Sequence, residues 1–158
     1  MSNYFFRPKL RDLTKGARLE YIRKFRYLDE KNVAEYFGLG GKDPARTIRN
    51  YEHNDVEPLQ GRLEELAELY EVSIDAIRDY DFSNPIDLIY VEMWMEELIP
   101  YYDVDIDNLS NNLNEYAKDL VKGLNEWKVM KEKRGNLEIS IQDYIDWKLN
   151  YRINDLID

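Results

Sequence analysis

Apolar residues recur at helical spacing over most of the chain. From Lys15 the positions Leu19, Ile22, Phe25 and Leu28 fall at steps of three, which predicts a first helix with one buried face and Arg18, Arg23, Lys24 and Arg26 around it. Asp29 is placed to cap a short second helix in which Val33, Ala34 and Phe37 face inward, and Gly38 suits its left-handed end. After the flexible turn 39–42, Asp43 followed by Pro44 sets a capping carboxylate before a first-turn proline, predicting a third helix from there. Its inner face is Ala45, Ile48 and Tyr51, leaving Arg46, Thr47, Arg49 and Asn50 to point outward. Asn54 tolerates a positive φ at the helix end. Leu63, Leu66, Ala67 and Tyr70 make a fourth helix, and Ser73 caps a fifth carrying Ile74 and Ile77.

Further on, Leu88, Val91, Met95 and Leu98 form an apolar stripe widened by Trp94, and the helix carrying them ends before Pro100. From Leu109 the series Leu113, Tyr116, Leu120, Leu124 and Trp127 predicts one long helix reaching about Arg134, with Gly135 ending it. Its partner is either the helix over Ile86 to Ile99 or the same helix in a second copy. Ser140, Tyr144, Trp147 and Tyr151 belong to a final short helix. At the other end, Pro8 blocks a helix, so residues 1–14 read as an extended arm mixing Tyr4, Phe5 and Phe6 with Arg7, Lys9 and Arg11. The fold class is all-α: a helical bundle over 15–82 and an acidic helical region over 83–158.

Composition narrows the chemistry. The chain has 158 residues, no cysteine and one histidine, His53, which excludes disulfides, thiolate zinc sites and iron–sulfur clusters. Asp103, Asp105 and Asp107 alternate, yet a calcium loop counted from Asp103 would need glycine where Asn108 stands and glutamate where Asn114 stands. No metal and no cofactor are expected. Glycines 38, 40 and 41 do not make a phosphate-cradling GxxxxGK loop, and with no nucleophile–base pair in sight the chain is not expected to be an enzyme. The start lacks a signal-peptide core, and the most apolar stretch, Ile86 to Ile99, is interrupted by Asp87, Glu92, Glu96 and Glu97, so a cytoplasmic protein with no membrane partner is expected.

Charge is unevenly placed. Residues 1–54 carry 12 Lys and Arg against 7 Asp and Glu, whereas the whole chain is at −10. A basic front on an acidic body suits one face turned to a polyanion, the remainder being repelled.

The segments ARLEYIRKFRYLDEKNVAEYFGL, RTIRNYEHNDVEP and RLEELAELYEVSIDAI together resemble the lambda-repressor-like, Xre-type helix-turn-helix family over roughly half the chain. The resemblance implies a five-helix DNA-binding bundle with its third helix in the major groove. It implies base-reading positions at Ala45, Arg46, Arg49 and Asn50, phosphate contacts at Thr47 and His53, and an ion pair between Arg23 and Glu52. Arg46 is suited to donate twice to guanine and Asn50 to pair with adenine. Arg7, Lys9, Arg11 and Lys15 are the candidate phosphate contacts of the arm and first helix. Departures from the family are the carboxylate Glu30, a turn lengthened over 40–46, Tyr27 and Asn54 at glycine positions. The closing LEISIQDYIDWKLNY is similar to tails on regulators of low-GC Gram-positive bacteria and their phages.

The expected function is therefore a sequence-specific transcriptional regulator, a repressor of phage or mobile-element type, binding a double-stranded DNA operator as a homodimer. The alternative is a protein-binding module, an antitoxin or a DNA-mimicking inhibitor, whose acidic C-terminal half presents carboxylates to a basic partner in place of phosphates.

Overall fold

The computed structural model describes residues 5–113 and 118–152. Tyr4 and Tyr116, to which the sequence assigns apolar contacts, lie outside the described residues. Among those described the secondary structure is entirely helical, with eight α-helices and one 3₁₀ turn. The chain divides into two compact units, Met1–Asp79 and Tyr80–Asp158. Among the described residues no helix is long and apolar enough to cross a membrane.

The first unit is built from α1 (Lys15–Phe25), α2 (Glu30–Tyr36), α3 (Arg46–Glu52) and α4 (Gln60–Tyr70). Thr14 caps α1 by accepting from the Ala17 N–H. The helix stops at Phe25, short of Leu28, because Tyr27 turns left-handed at φ 57° and the Leu28 N–H reaches back to the Arg23 carbonyl. Asp29 caps α2, and Asn32 returns the hydrogen bond to the Asp29 N–H, a reciprocal box that satisfies two otherwise orphaned donors. Gly38 follows at φ 66°, and Asn54 closes α3 at φ 62°.

Four expectations for this unit need correction. The α-helical part of α3 begins at Arg46, with Pro44 and Ala45 in a preceding turn that the Arg46 N–H closes on the Asp43 carbonyl, and the Asp43 carboxylate pairs with Arg49 where a cap was expected. The fifth helix is a single 3₁₀ turn, Ile74–Ala76, capped by Ser73. Its continuation is stopped by Arg18, whose Nη1 takes the carbonyls of Ala76 (2.8 Å) and Arg78 (2.9 Å). Arg18 is therefore buried and not part of a solvated rim. Arg26 likewise turns inward, its guanidinium holding the carbonyls of Tyr70 and Glu71 at the C-terminus of α4.

Leu19, Ile22, Phe25, Val33, Ala34, Ile48, Leu63, Leu66, Tyr70 and Ile77 are buried, and each sits where its spacing places it. Leu10 and Pro8 of the arm are buried as well, and Phe5 meets the Phe25 ring edge-on. Gly16 marks a backbone approach that periodicity does not reveal. A Cβ there would lie 2.4 Å from the Glu52 carbonyl oxygen and 2.6 Å from that of Tyr51, so α1 can meet the end of α3 only through a glycine.

The second unit contains α5 (Asp87–Leu98), α6 (Ile106–Leu113), α7 (Lys118–Gly135) and α8 (Ile141–Asn150). The core face of α5 is Ile89, Tyr90, Met93 and Trp94, whereas Leu88, Val91, Met95 and Leu98 stay exposed or half-buried. The expected stripe thus has the right period and the wrong face. Both arcs of this helix are apolar, so spacing alone cannot choose between them. The single long helix from Leu109 is also corrected. Lys128 of α7 bonds Asp107 of α6 at 2.7 Å, whereas a continuous helix would hold residues that far apart at about 30 Å. The two helices fold back on each other.

Ile89, Tyr90, Met93, Ile106, Leu120, Leu124, Trp127, Tyr144 and Tyr151 form the core of this unit. Inside it the Trp127 indole N–H donates to the Tyr144 hydroxyl at 2.7 Å, which donates to Glu96 at 2.9 Å. Lys148 joins Glu97 at 2.7 Å and Glu96 at 3.3 Å, so two carboxylates are buried with a cation between them. Ser140 and Asp143 form the capping box of α8.

Candidate nucleic-acid interface

Helix α3 packs against α1 and α2, and its placement depends on one ion pair. The Arg23 Nε and Nη2 donate to the two Glu52 oxygens at 2.5 and 3.0 Å, while Nη1 donates to the Leu28 carbonyl at 2.9 Å. Both partners are buried. Burial pushes the Glu52 carboxyl above its ordinary range, opposed by the Arg23 hydrogen bond. For Arg23 burial acts downward, and the Glu52 hydrogen bond and charge together raise it above its ordinary value. This pair joins the first helix to the end of the third.

Ile48 anchors the inner face of α3. Of the candidate contact residues Arg46 is exposed, and Ala45, Thr47, Arg49 and Asn50 are half-buried. The Asn50 carbonyl accepts from the Asp55 and Val56 N–H groups, closing the turn after the helix. His53 is exposed just past the helix end. Arg49 is held on two sides, with Nη1 at 2.9 Å from Asp43 Oδ2 and Nε at 3.3 Å from Glu30 Oε2. The Arg49 hydrogen bond holds the Asp43 carboxyl below its usual range, and the same contact raises Arg49.

Most of the basic front has internal work. Arg11 donates to Glu20 and to the Glu52 carbonyl, each at 2.8 Å. Lys15 pairs with Asp79 at 3.0 Å with its side chain only 12% exposed. Lys24 pairs with Glu20, and Arg18, Arg23 and Arg26 serve the carbonyls and carboxylate already described. Arg7 is half-buried. Lys9, Lys31, Lys42 and Arg46 are exposed with no hydrogen bond or ion pair among the described residues. Three of these four flank the α2–turn–α3 segment: Lys31 follows Glu30, Lys42 precedes Asp43, and Arg46 opens α3.

The structure thus gathers Ala45, Arg46, Thr47, Arg49, Asn50 and His53 on one short helix with its flanking residues. It ties Arg11 and Lys15 into the protein. Sequence reasoning missed the two carboxylates around Arg49 and the burial of Arg18. For Arg18 a signal existed, since 18, 22 and 25 share one helix face with Ile22 and Phe25. Of the alternating aspartates, Asp103 pairs with Lys131 and Asp107 with Lys128. No protein-family model, no curated protein and no solved structure matches this chain.

Proposed function

We propose that the first unit is a lambda-repressor-like, Xre-type helix-turn-helix domain that binds double-stranded DNA through α3, and that the protein is a sequence-specific transcriptional repressor. The observation that carries this reading is the distribution of spare cations. Most of the positive charge of residues 1–54 is consumed by carbonyls and carboxylates inside the unit. Of the four cations left over, Lys9 stands on the arm and the other three, Lys31, Lys42 and Arg46, lie along α2, the turn and the first residue of α3, where a duplex backbone would meet them. Arg46 then reads a guanine edge and Asn50 an adjacent adenine, with Lys31 and Lys42 on phosphates.

A homodimer completes the geometry, placing two copies of α3 about 34 Å apart in successive major grooves. The half-exposed apolar stripe Leu88, Val91, Met95 and Leu98 of α5 supports a seam between two copies.

The test is selection of bound sequences from a random duplex pool, followed by gel shift of the enriched duplex. Arg46→Ala relaxes the preference at one base position, a loss of about 1–3 kcal/mol of discrimination. Lys42→Ala weakens all sequences alike and lowers the salt slope by about one. Identical behaviour of the two variants refutes the groove assignment. No enriched duplex at all refutes DNA binding and turns attention to a protein partner for the acidic half.

A further inference from the structure

On the reading that α3 enters DNA, one feature of its surface runs against expectation. Arg49 lies one turn beyond Arg46 and shares its outward arc, so it is the second guanidinium available to a groove. Its Nη1 already donates to Asp43, and its Nε stands in ion-pair contact with Glu30. Asp43 approaches from the turn before α3, and Glu30 from the first residue of α2, so the two carboxylates close on the guanidinium from separate elements. A guanidinium recognises guanine or a phosphate through its Nε and Nη donors, and two of these, Nε and Nη1, face the carboxylates.

We propose that Asp43 and Glu30 form a carboxylate cage that holds Arg49 out of contact with nucleic acid and so restrains binding to non-operator DNA. This rests on the DNA-binding reading above. The cage works in two ways. It removes one cation from the set that a phosphate backbone can engage, and it leaves a net negative charge on the same α2–turn–α3 segment that carries the exposed Lys31, Lys42 and Arg46. Non-specific binding depends on the number of phosphates neutralised, so it suffers most. Operator binding depends more on Arg46 and Asn50, so it suffers least. Specificity gains from a repulsive element set against the wrong partner.

The cage is exposed enough to be removed without unfolding the unit. The Arg49, Asp43 and Glu30 side chains are 39%, 49% and 28% exposed, and neither carboxylate belongs to the buried core. Asp43→Asn and Glu30→Gln remove the two charges while keeping the size of each side chain.

The experiment compares the full-length protein with Asp43→Asn/Glu30→Gln, and with the same variant carrying Arg49→Ala, on a random-sequence duplex and on the selected duplex over a salt series. Circular dichroism checks that helix content is unchanged. The expected result is a gain of roughly tenfold or more on the random duplex, with a log–log salt slope steeper by about one to two, a smaller gain on the selected duplex, and loss of most of the gain when Arg49 is also removed. A random-duplex affinity equal to that of the unmodified protein overturns the cage while leaving DNA binding intact. A gain that survives Arg49→Ala overturns it too, because simple repulsion then suffices. If the unmodified protein binds nothing and the double variant binds through Arg49, the cage stands as a closed latch. If neither binds any duplex, both the cage and the DNA-binding reading fail.

Discussion

Replacing Glu52 by alanine tests the link between α1 and α3 directly. The Arg23 and Glu52 side chains are 8% and 2% exposed, and the contact is bidentate at 2.5 and 3.0 Å. Without the carboxylate, the guanidinium keeps only the Leu28 carbonyl as partner in a site closed to water. A stranded buried charge costs about 3–5 kcal/mol, against about 0–1 for a pair at the surface, so burial decides the outcome. In a unit of this size that loss lowers the melting midpoint by roughly 15–30 °C. The double replacement Arg23→Met/Glu52→Leu removes both charges and is expected to recover most of the loss, since a buried pair exchanged for apolar groups of similar volume is often near neutral. The assay separates the two units. All three tryptophans, Trp94, Trp127 and Trp147, lie in Tyr80–Asp158, so tryptophan fluorescence follows that unit while far-ultraviolet circular dichroism follows both. The circular-dichroism transition of Glu52→Ala should move. A loss below about 1 kcal/mol would mean that the pair is solvated and would refute the reasoning.

Three further expectations follow from single residues. Gly16→Ala forces a Cβ onto the backbone of Tyr51 and Glu52 and lowers stability by about 1–3 kcal/mol in urea denaturation, despite the better helix propensity of alanine; a neutral result would show that α1 and α3 can separate freely. Leu137 is exposed at φ 60° in the turn that ends α7, so Leu137→Gly relieves left-handed strain and raises the urea midpoint of the second unit by the equivalent of about 0.5–1 kcal/mol; a drop would contradict the turn geometry. The Glu92 carboxylate accepts from the Tyr102 hydroxyl and pushes its pKa up to about 12. The folded pKa is raised above the unfolded value, so the stability Tyr102 contributes is complete below about pH 10 and is lost as pH rises toward about 12. Tyr102→Phe should remove one late-ionising group from the tyrosinate absorbance titration of the native protein, and an unchanged curve counts against the bond.

Local physics made much of the first unit legible. Asp29 and Ser73 are legible as caps because a short polar side chain ahead of an apolar series has few other uses, whereas the Thr14 cap of α1 shows only in the structure. Gly38 and Asn54 adopt the left-handed conformations that their types favour, and the spacing of Leu19, Ile22 and Phe25 gave the buried face of α1. In the second unit the helix period was legible but its direction was not. Helix α5 carries apolar residues on two arcs, and only the packing of Ile89, Tyr90 and Met93 in one core with Leu120, Leu124, Trp127 and Tyr144 shows which one is inside. The fold-back of α6 on α7 was hidden for the same reason, since a continuous heptad-like series describes one helix or two equally well.

The sequence by itself determined an all-helical chain, the caps at Asp29 and Ser73, the charge gradient and the set of polar residues presented by the third helix. These depend on interactions within a few residues, which spacing and residue type report. Only the tertiary structure decided which cations remain available. Arg11, Lys15, Arg18 and Arg26 look like surface charges in one dimension, and in three they meet carbonyls or carboxylates between 9 and 64 residues away. A charge is counted by its sequence but spent by its neighbours, and neighbours at that separation are set by packing alone.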